Sequence, residues 1–217
     1  MGLSVATHGF ADALAFDEPE LVGLDELRDH LRAINELMAS EGLPPHHEPT
    51  VHGAATTRDR MGGVPYSFTH YLRRAYARAC EEPDEPLEPV AEGEDPAHDA
   101  AVEDLSLTFE CHLLCHSDCE GYYVPIDFDD VLFPDDELGL PGGMVGSSQA
   151  LLRELVYVAP HLGIALDNGE LSDSEIDSIH DENDPDSHPL WRERVTWLLY
   201  YEAARVSVAN GTLITFG

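Results

Sequence analysis

The sequence predicts an α+β protein: a small, mostly antiparallel sheet covered by four to five helices. Two observations carry that prediction. Four stretches repeat apolar residues at intervals of three and four, the spacing of a buried helix face. Two others, 105–128 and 212–216, read as strands bounded by turn-forming residues. With 217 residues and 43% hydrophobic content the chain can bury one sizeable core. Residues 1–217 therefore read as a single domain, with an acidic, proline-rich excursion at about 81–104.

Residues 1–23 give weak apolar structure without a clear period. Asp25 then suits the cap of a helix over 25–41, with Leu27, Leu31, Ile34, Leu37 and Met38 as its stripe, ended by Gly42 and Pro44-Pro45. The loop beyond holds His46, His47 and His52, half of a metal site by spacing. Pro65 opens a second helix over 65–81, with Phe68, Leu72, Ala75 and Ala79 inward and His70, Arg73, Arg74 and Arg78 off the stripe. Eleven acids and four prolines without a lysine or arginine follow in 81–104, the composition of an extended loop.

The clearest strand signal is 105–128. Leu105, Leu107, Phe109, Cys111 and Leu113 alternate with Ser106, Thr108, Glu110 and His112, and a turn at 116–121 leads to a second strand at 122–128. Pro125 places that second strand at an edge or a bulge. Pro141-Gly142-Gly143 and Gly146-Ser147-Ser148 precede a helix over 148–162. Nine acids crowd 167–186, where Ser172 and Glu175 form a capping box. The last helix, 188–209, turns Trp191, Val195, Leu198, Leu199, Ala203 and Val206 inward; Asn210-Gly211 stops it, and strand 212–216 joins the sheet.

Chemistry concentrates in the turn of the predicted hairpin, where three readings compete. Cys115, His116 and Cys119 could ligate zinc, but their spacing fits tetrahedral coordination only in part. Cys119 could act as a nucleophile, although Asp118 and Glu120 beside it disfavour a thiolate. The favoured reading is structural: Cys111 and Cys115 are core residues, and His116, Ser117 and Asp118 tie the turn. The candidate functional turn is His116, Asp118, Cys119, Tyr122 and Tyr123. No cofactor is expected, zinc being the one candidate. A catalytic turn would require His46, His47, His52 or His70 to converge on it.

HSDCEGYYVPIDF, with the Gly-Ser-Ser turn and the leucine-rich helix after it, resembles a widespread prokaryotic family without an established activity. The resemblance spans about Leu105 to Leu162 and implies only that the turn around His116, Asp118 and Tyr122 matters; it implies no catalytic residues.

Charge is the other signal. Forty-three acids face eleven bases, all arginine, for a net charge of −32. Such a surface repels phosphate backbones, which excludes nucleic acid as a partner. No apolar run reaches the roughly 20 residues of a membrane span, and the N-terminus lacks the basic region of a signal peptide. The expected setting is the cytoplasm, with reduced thiols. The composition resembles that of haloarchaeal, salt-in proteins. The same acidity can imitate nucleic acid or cap a basic partner, as nuclease inhibitors and immunity proteins do. Arg73, Arg74 and Arg78 are candidate anion ligands, with pairing to the chain's own acids as the favoured alternative. The sequence thus points to a non-enzymatic, salt-adapted interaction protein, inhibitor- or immunity-like, with a protein partner of basic character. A small metal- or thiol-dependent enzyme working at 116–122 is the alternative.

Overall fold

Tyr122, Tyr123 and Val124 point alternately into two apolar layers, and this alternation organises the architecture. In a computed structural model, which describes residues 2–15 and 23–217, five short strands form a mixed sheet. They are β1 (Gly2–Ala6), β2 (Gly63–Pro65), β3 (Gly121–Val124), β4 (Val145–Ser147) and, last in the chain, Ile214–Phe216. Between the last two lies a separate antiparallel pair, β5 (Leu166–Asp167) and β6 (Glu170–Leu171), so the C-terminal strand is β7. The sheet order is β2-β1-β7-β3-β4, antiparallel except for the parallel β3–β4 edge. Part of the N-terminal stretch read as weakly apolar, residues 16–22, lies outside the described residues.

Seven α-helices flank the sheet among the described residues: α1 (Gly9–Ala15), α2 (Leu24–Ser40), α3 (Tyr66–Glu81), α4 (Ala100–Ser106), α5 (Ser148–Val158), α6 (Asp173–His180) and α7 (Trp191–Asn210). On one sheet face Ile34, Leu37 and Met38 of α2 meet Tyr122, Val124, Val145 and Leu213. On the other, Leu3, Tyr123, Ile214 and Phe216 meet α3, α5 and α7. Helix α7 packs against α3, α5 and α6 and is buried nearly all round rather than along one stripe. Gly211, at φ +69°, ends it in the left-handed conformation that glycine takes without a Cβ penalty. Ser172 Oγ accepts from the Glu175 N–H and caps α6, as the capping box predicts.

The α+β class, the C-terminal strand and the four long helices stand. The first arm of the predicted hairpin does not. Residues 100–106 are helix α4, capped by Asp99, whose carboxylate accepts from the Ala101 N–H. Leu107 and Phe109 of the apolar stripe are exposed, and Phe109 sits at φ +58°. Residues 111–116 are buried without strand pairing, because side chains take the place of a neighbouring strand. The Glu154 carboxylate accepts from the His112 and Leu113 N–H groups at 2.8 and 2.7 Å. Arg73 donates to the Leu113 and His116 carbonyls, and Tyr123 Oη donates to that of His112. A buried backbone needs its polar groups paired, and a side chain serves as well as a strand. The second arm also differs from the edge strand expected of it: β3 ends at Val124, so Pro125 falls just beyond a strand that lies inside the sheet.

Candidate functional site

The arginines are committed to carboxylates of the same chain. Among the described residues ten of the eleven carry such a partner, six of them buried or half-buried and four, Arg28, Arg32, Arg60 and Arg153, exposed. The remaining one, Arg192, lies over the rings of Phe68, Tyr71 and Trp191. The most buried acid in these pairs is Glu202, whose side chain is fully buried in α7. It accepts from Arg58 Nη2 and Arg205 Nη2, both at 2.7 Å. Burial pushes the Glu202 carboxyl up, and the hydrogen bonds from Arg205 and Arg58 outweigh it, so the group stays ionised below the ordinary carboxylate range. Buried Arg194 similarly faces Glu182 at 2.9 Å and Glu175 at 3.4 Å.

Most acids face outward, a few of them in exposed pairs with arginine such as Asp25–Arg28, Asp29–Arg32 and Asp177–Arg60. In 81–104 ten of eleven acids are exposed; the exception is Asp99, which holds Arg74 and Arg78. In 167–186 seven of nine are exposed, and on α2 Asp25, Glu26, Asp29 and Glu36 are too. The arginine-rich segment 56–78, locally the one basic stretch of the sequence, is neutralised from within. Arg58 and Arg60 reach Asp173 and Asp177, and Arg73 pairs with Asp118. Arg73 is buried, not off the inner stripe as the helix pattern suggests. The outer surface is thus dominated by carboxylates, with Arg28, Arg32, Arg60 and Arg153 paired among them, while the buried and half-buried arginines tie the fold together.

The predicted functional turn is built around the same arginine. Arg73 joins Asp118 to the carbonyls of Leu113 and His116, and His70 Nε2 lies 3.4 Å from the other Asp118 oxygen. His70 is the one member of the expected histidine group found at the turn. His46 is buried with Glu48 at 2.6 Å, and His52 faces Asp12. His116 is stacked on Tyr123 at 4.2 Å, and both of its ring nitrogens face carbonyl oxygens, those of Ser117 and Tyr122. Desolvation lowers its pKa to about 4, so it is neutral near pH 7. Gly121 takes φ +130°, with the His116 ring where a Cβ would stand. Tyr122 Oη shares a 2.6 Å hydrogen bond with His30 Nδ1. Cys119 is exposed and lies 3.8 Å from Ser117 Oγ, whereas Cys115 is buried. Among the described residues no group of three or more His, Cys, Asp or Glu side chains is placed to hold a metal ion.

His112 and Glu154 complete this buried network. Ser147 N–H donates to His112 Nδ1, which leaves Nε2–H to donate to the Asp129 carbonyl. Burial raises Glu154 to about 7 against the pull of its two backbone donors. Neither Glu154 nor Glu202 stood out in the sequence. The available signal was a carboxylate inside an otherwise apolar helical run, as in LLYYEAARV.

Taken together, arginines engaged within the chain and a large excess of exposed carboxylates on an α+β scaffold define a polyanionic surface protein. The chain belongs to the family described as "Putative DNA-mimic protein", whose profile matches residues 1–216. No curated protein and no solved structure matches it. No described helix is long and apolar enough to cross a membrane.

Proposed function

We propose that this chain is a decoy for DNA: it binds a protein rather than transforming a substrate, and its partner is a DNA-binding protein of basic character. Duplex DNA carries one negative charge for about every 1.7 Å of axis, and proteins that read it display lysine and arginine to those charges. The observation that carries the reading is the excess of exposed acids over the eleven arginines, nearly all of which are already engaged within the chain, so that most exposed acids are uncompensated toward a partner. Family membership supports the same reading. In this role the chain is inhibitor- or immunity-like and acts in the cytoplasm.

The test is competition. Labelled duplex is bound to a helix-turn-helix protein, or to a minor-groove-binding one, and the chain is titrated in at low salt. Displacement that weakens steeply as salt rises is expected, because the contacts are ionic. A chain that displaces DNA from neither protein is not a decoy.

The acidity also suits high salt, a reading favoured by the complete absence of lysine alongside a net charge of −32. In molar salt the Debye length falls to about 3 Å and self-repulsion is screened. Stability that rises from low to molar sodium chloride is expected; a flat or falling curve would remove salt adaptation while leaving the decoy function intact.

A further inference from the structure

One exposed patch of the acid-rich surface is aromatic. Phe109 and Phe133 stand edge to face with ring centroids 5.3 Å apart. Their residues are 53% and 45% exposed, and Leu107 nearby in the chain is 73% exposed. The Val131 N–H donates to the Phe109 carbonyl at 3.2 Å, joining the two segments that carry the rings. Phe109 holds φ +58°, a conformation that bulky residues avoid and that costs about 1–3 kcal/mol. Burial of the ring does not offset that cost. Strain that turns an aromatic side chain outward marks a place where the ring is wanted at the surface.

Acids are dense in the segments that carry the pair. Glu103, Glu110, Asp129, Asp130, Asp135 and Asp136 are exposed and lie within four residues of Leu107, Phe109 or Phe133 in the chain. Glu110, Asp129, Asp130 and Glu154 line one concavity, with Arg153 as the one arginine in it. Aromatic faces amid dense negative charge are what an opened base step offers. Proteins that bend DNA from the minor groove combine Lys or Arg contacts with an apolar wedge of Phe, Leu, Ile, Met or Pro pushed between bases.

We propose that the Phe109–Phe133 face receives the apolar wedge of such a protein, while the surrounding carboxylates meet the lysines and arginines that flank it. This rests on the decoy reading and narrows it to one kind of DNA-binding surface. The rings would supply the salt-independent part of the affinity and the acids the salt-dependent part.

The experiment uses the full chain and two probes: a wedge-inserting protein of the HU/IHF class, and the same protein with its wedge residue replaced by alanine. Phe133→Ser removes one ring. Phe109→Gly removes the other and also relieves the backbone, so a loss of binding there is not a loss of folding. Each variant is expected to bind the wedge probe about tenfold more weakly, the loss typical of a central aromatic anchor, with an unchanged salt slope. The alanine probe should lose the same factor against the unsubstituted chain and little more against the variants, because contacting groups are non-additive. Binding of the wedge probe by both variants as tight as by the unsubstituted chain, or fully additive losses, overturns the proposal. If the wedge probe does not bind but the chain still displaces DNA from a helix-turn-helix protein, the wedge assignment falls and the decoy reading survives. If it displaces DNA from neither, both fall.

Discussion

The two acid-rich tracts, 81–104 and 167–186, look alike in sequence and are held in different ways. The first crosses α3 as a loop whose ionic anchor is one carboxylate: Asp99 accepts from both Arg74 and Arg78 and also caps α4. The second is woven into the core. Leu171, Ile176 and Ile179 are buried, and four of its acids pair with Arg58, Arg60 and Arg194. The first tract is thus held by one shared ionic staple with Ala101, Leu87 and Val102 on the core, the second by several ion pairs and a fully buried apolar stripe. In both, a minority of the acids do the holding and the majority remain free to present charge.

The severest way to break the comparison is to strike the second tract at its root. Glu202 lies beneath it, and Arg58 bridges Glu202 to the Leu171 carbonyl and Asp173. Glu202→Gln leaves Arg58 and Arg205 facing an uncharged amide. Breaking such a buried pair costs about 3 kcal/mol or more, which denaturant unfolding would register as a lower midpoint. Asp99→Ala should cost less, about 1–2 kcal/mol, from the lost helix cap and two partly exposed ion pairs. Its signature is regional: amide exchange should quicken across 82–106 and stay unchanged across 167–186. Equal quickening in both tracts would show that they are not independently anchored.

Acid should sharpen the contrast further. Burial raises Asp99, but hydrogen bonds from the Ala101 N–H and the arginines outweigh it, so its folded pKa is depressed, as is that of Glu202. A depressed carboxylate contributes stability above its unfolded pKa and loses it as pH falls through the folded value. Both anchors should therefore hold through mild acid and fail below the ordinary carboxylate range. His116, lowered to about 4 from 6.5, adds a loss of stability as pH falls through that interval. Glu154 runs the other way: raised from 4.5 to about 7, it loses its contribution as pH rises through that window. Glu154→Gln should flatten the stability profile between pH 5 and 7, roughly the span between those two values. The smallest effect is expected from neutralising an exposed acid. Asp84→Asn should change stability by less than about 0.5 kcal/mol, while lowering the salt slope of partner binding by up to about one counterion if Asp84 stands in for a phosphate.

How much of this was legible follows from which interactions set each element. The long helices were, because Ile34, Leu37 and Met38 or Leu151 and Leu155 repeat at helical spacing and tertiary burial agrees with it. The sheet was half legible. β7 showed as a β-branched run after Asn210-Gly211, whereas β1 and β2 are too short, at five and three residues, to display a period. Helix α4 hid behind acids and prolines, although an aspartate before Ala100-Ala101 is a cap signal. The stretch 105–113 misled because its alternation belongs to a helix end followed by a strained turn. Its partners, Arg73 and Glu154, lie about 40 residues away on either side, as the pairs Arg73–Leu113 and Glu154–Leu113 record. At the candidate turn, the sequence singled out His116 and Asp118 but gave no sign that Arg73 ties them together. Which arginines pair with which acids was invisible, since composition counts charges without saying which ones meet.

The position of β7 has a consequence for how the chain is made. This three-residue strand lies between β1, at the other end of the chain, and β3. Before residues 214–216 emerge from the ribosome, the sheet exists only as two separated pairs, β1–β2 and β3–β4. At synthesis rates of about 5–20 residues per second, the N-terminal pair waits on the order of ten seconds or more for the strand that joins it to the rest. Through that interval an edge of β1 is open, and mutual repulsion among nascent chains this acidic is what stands between it and the edge of another.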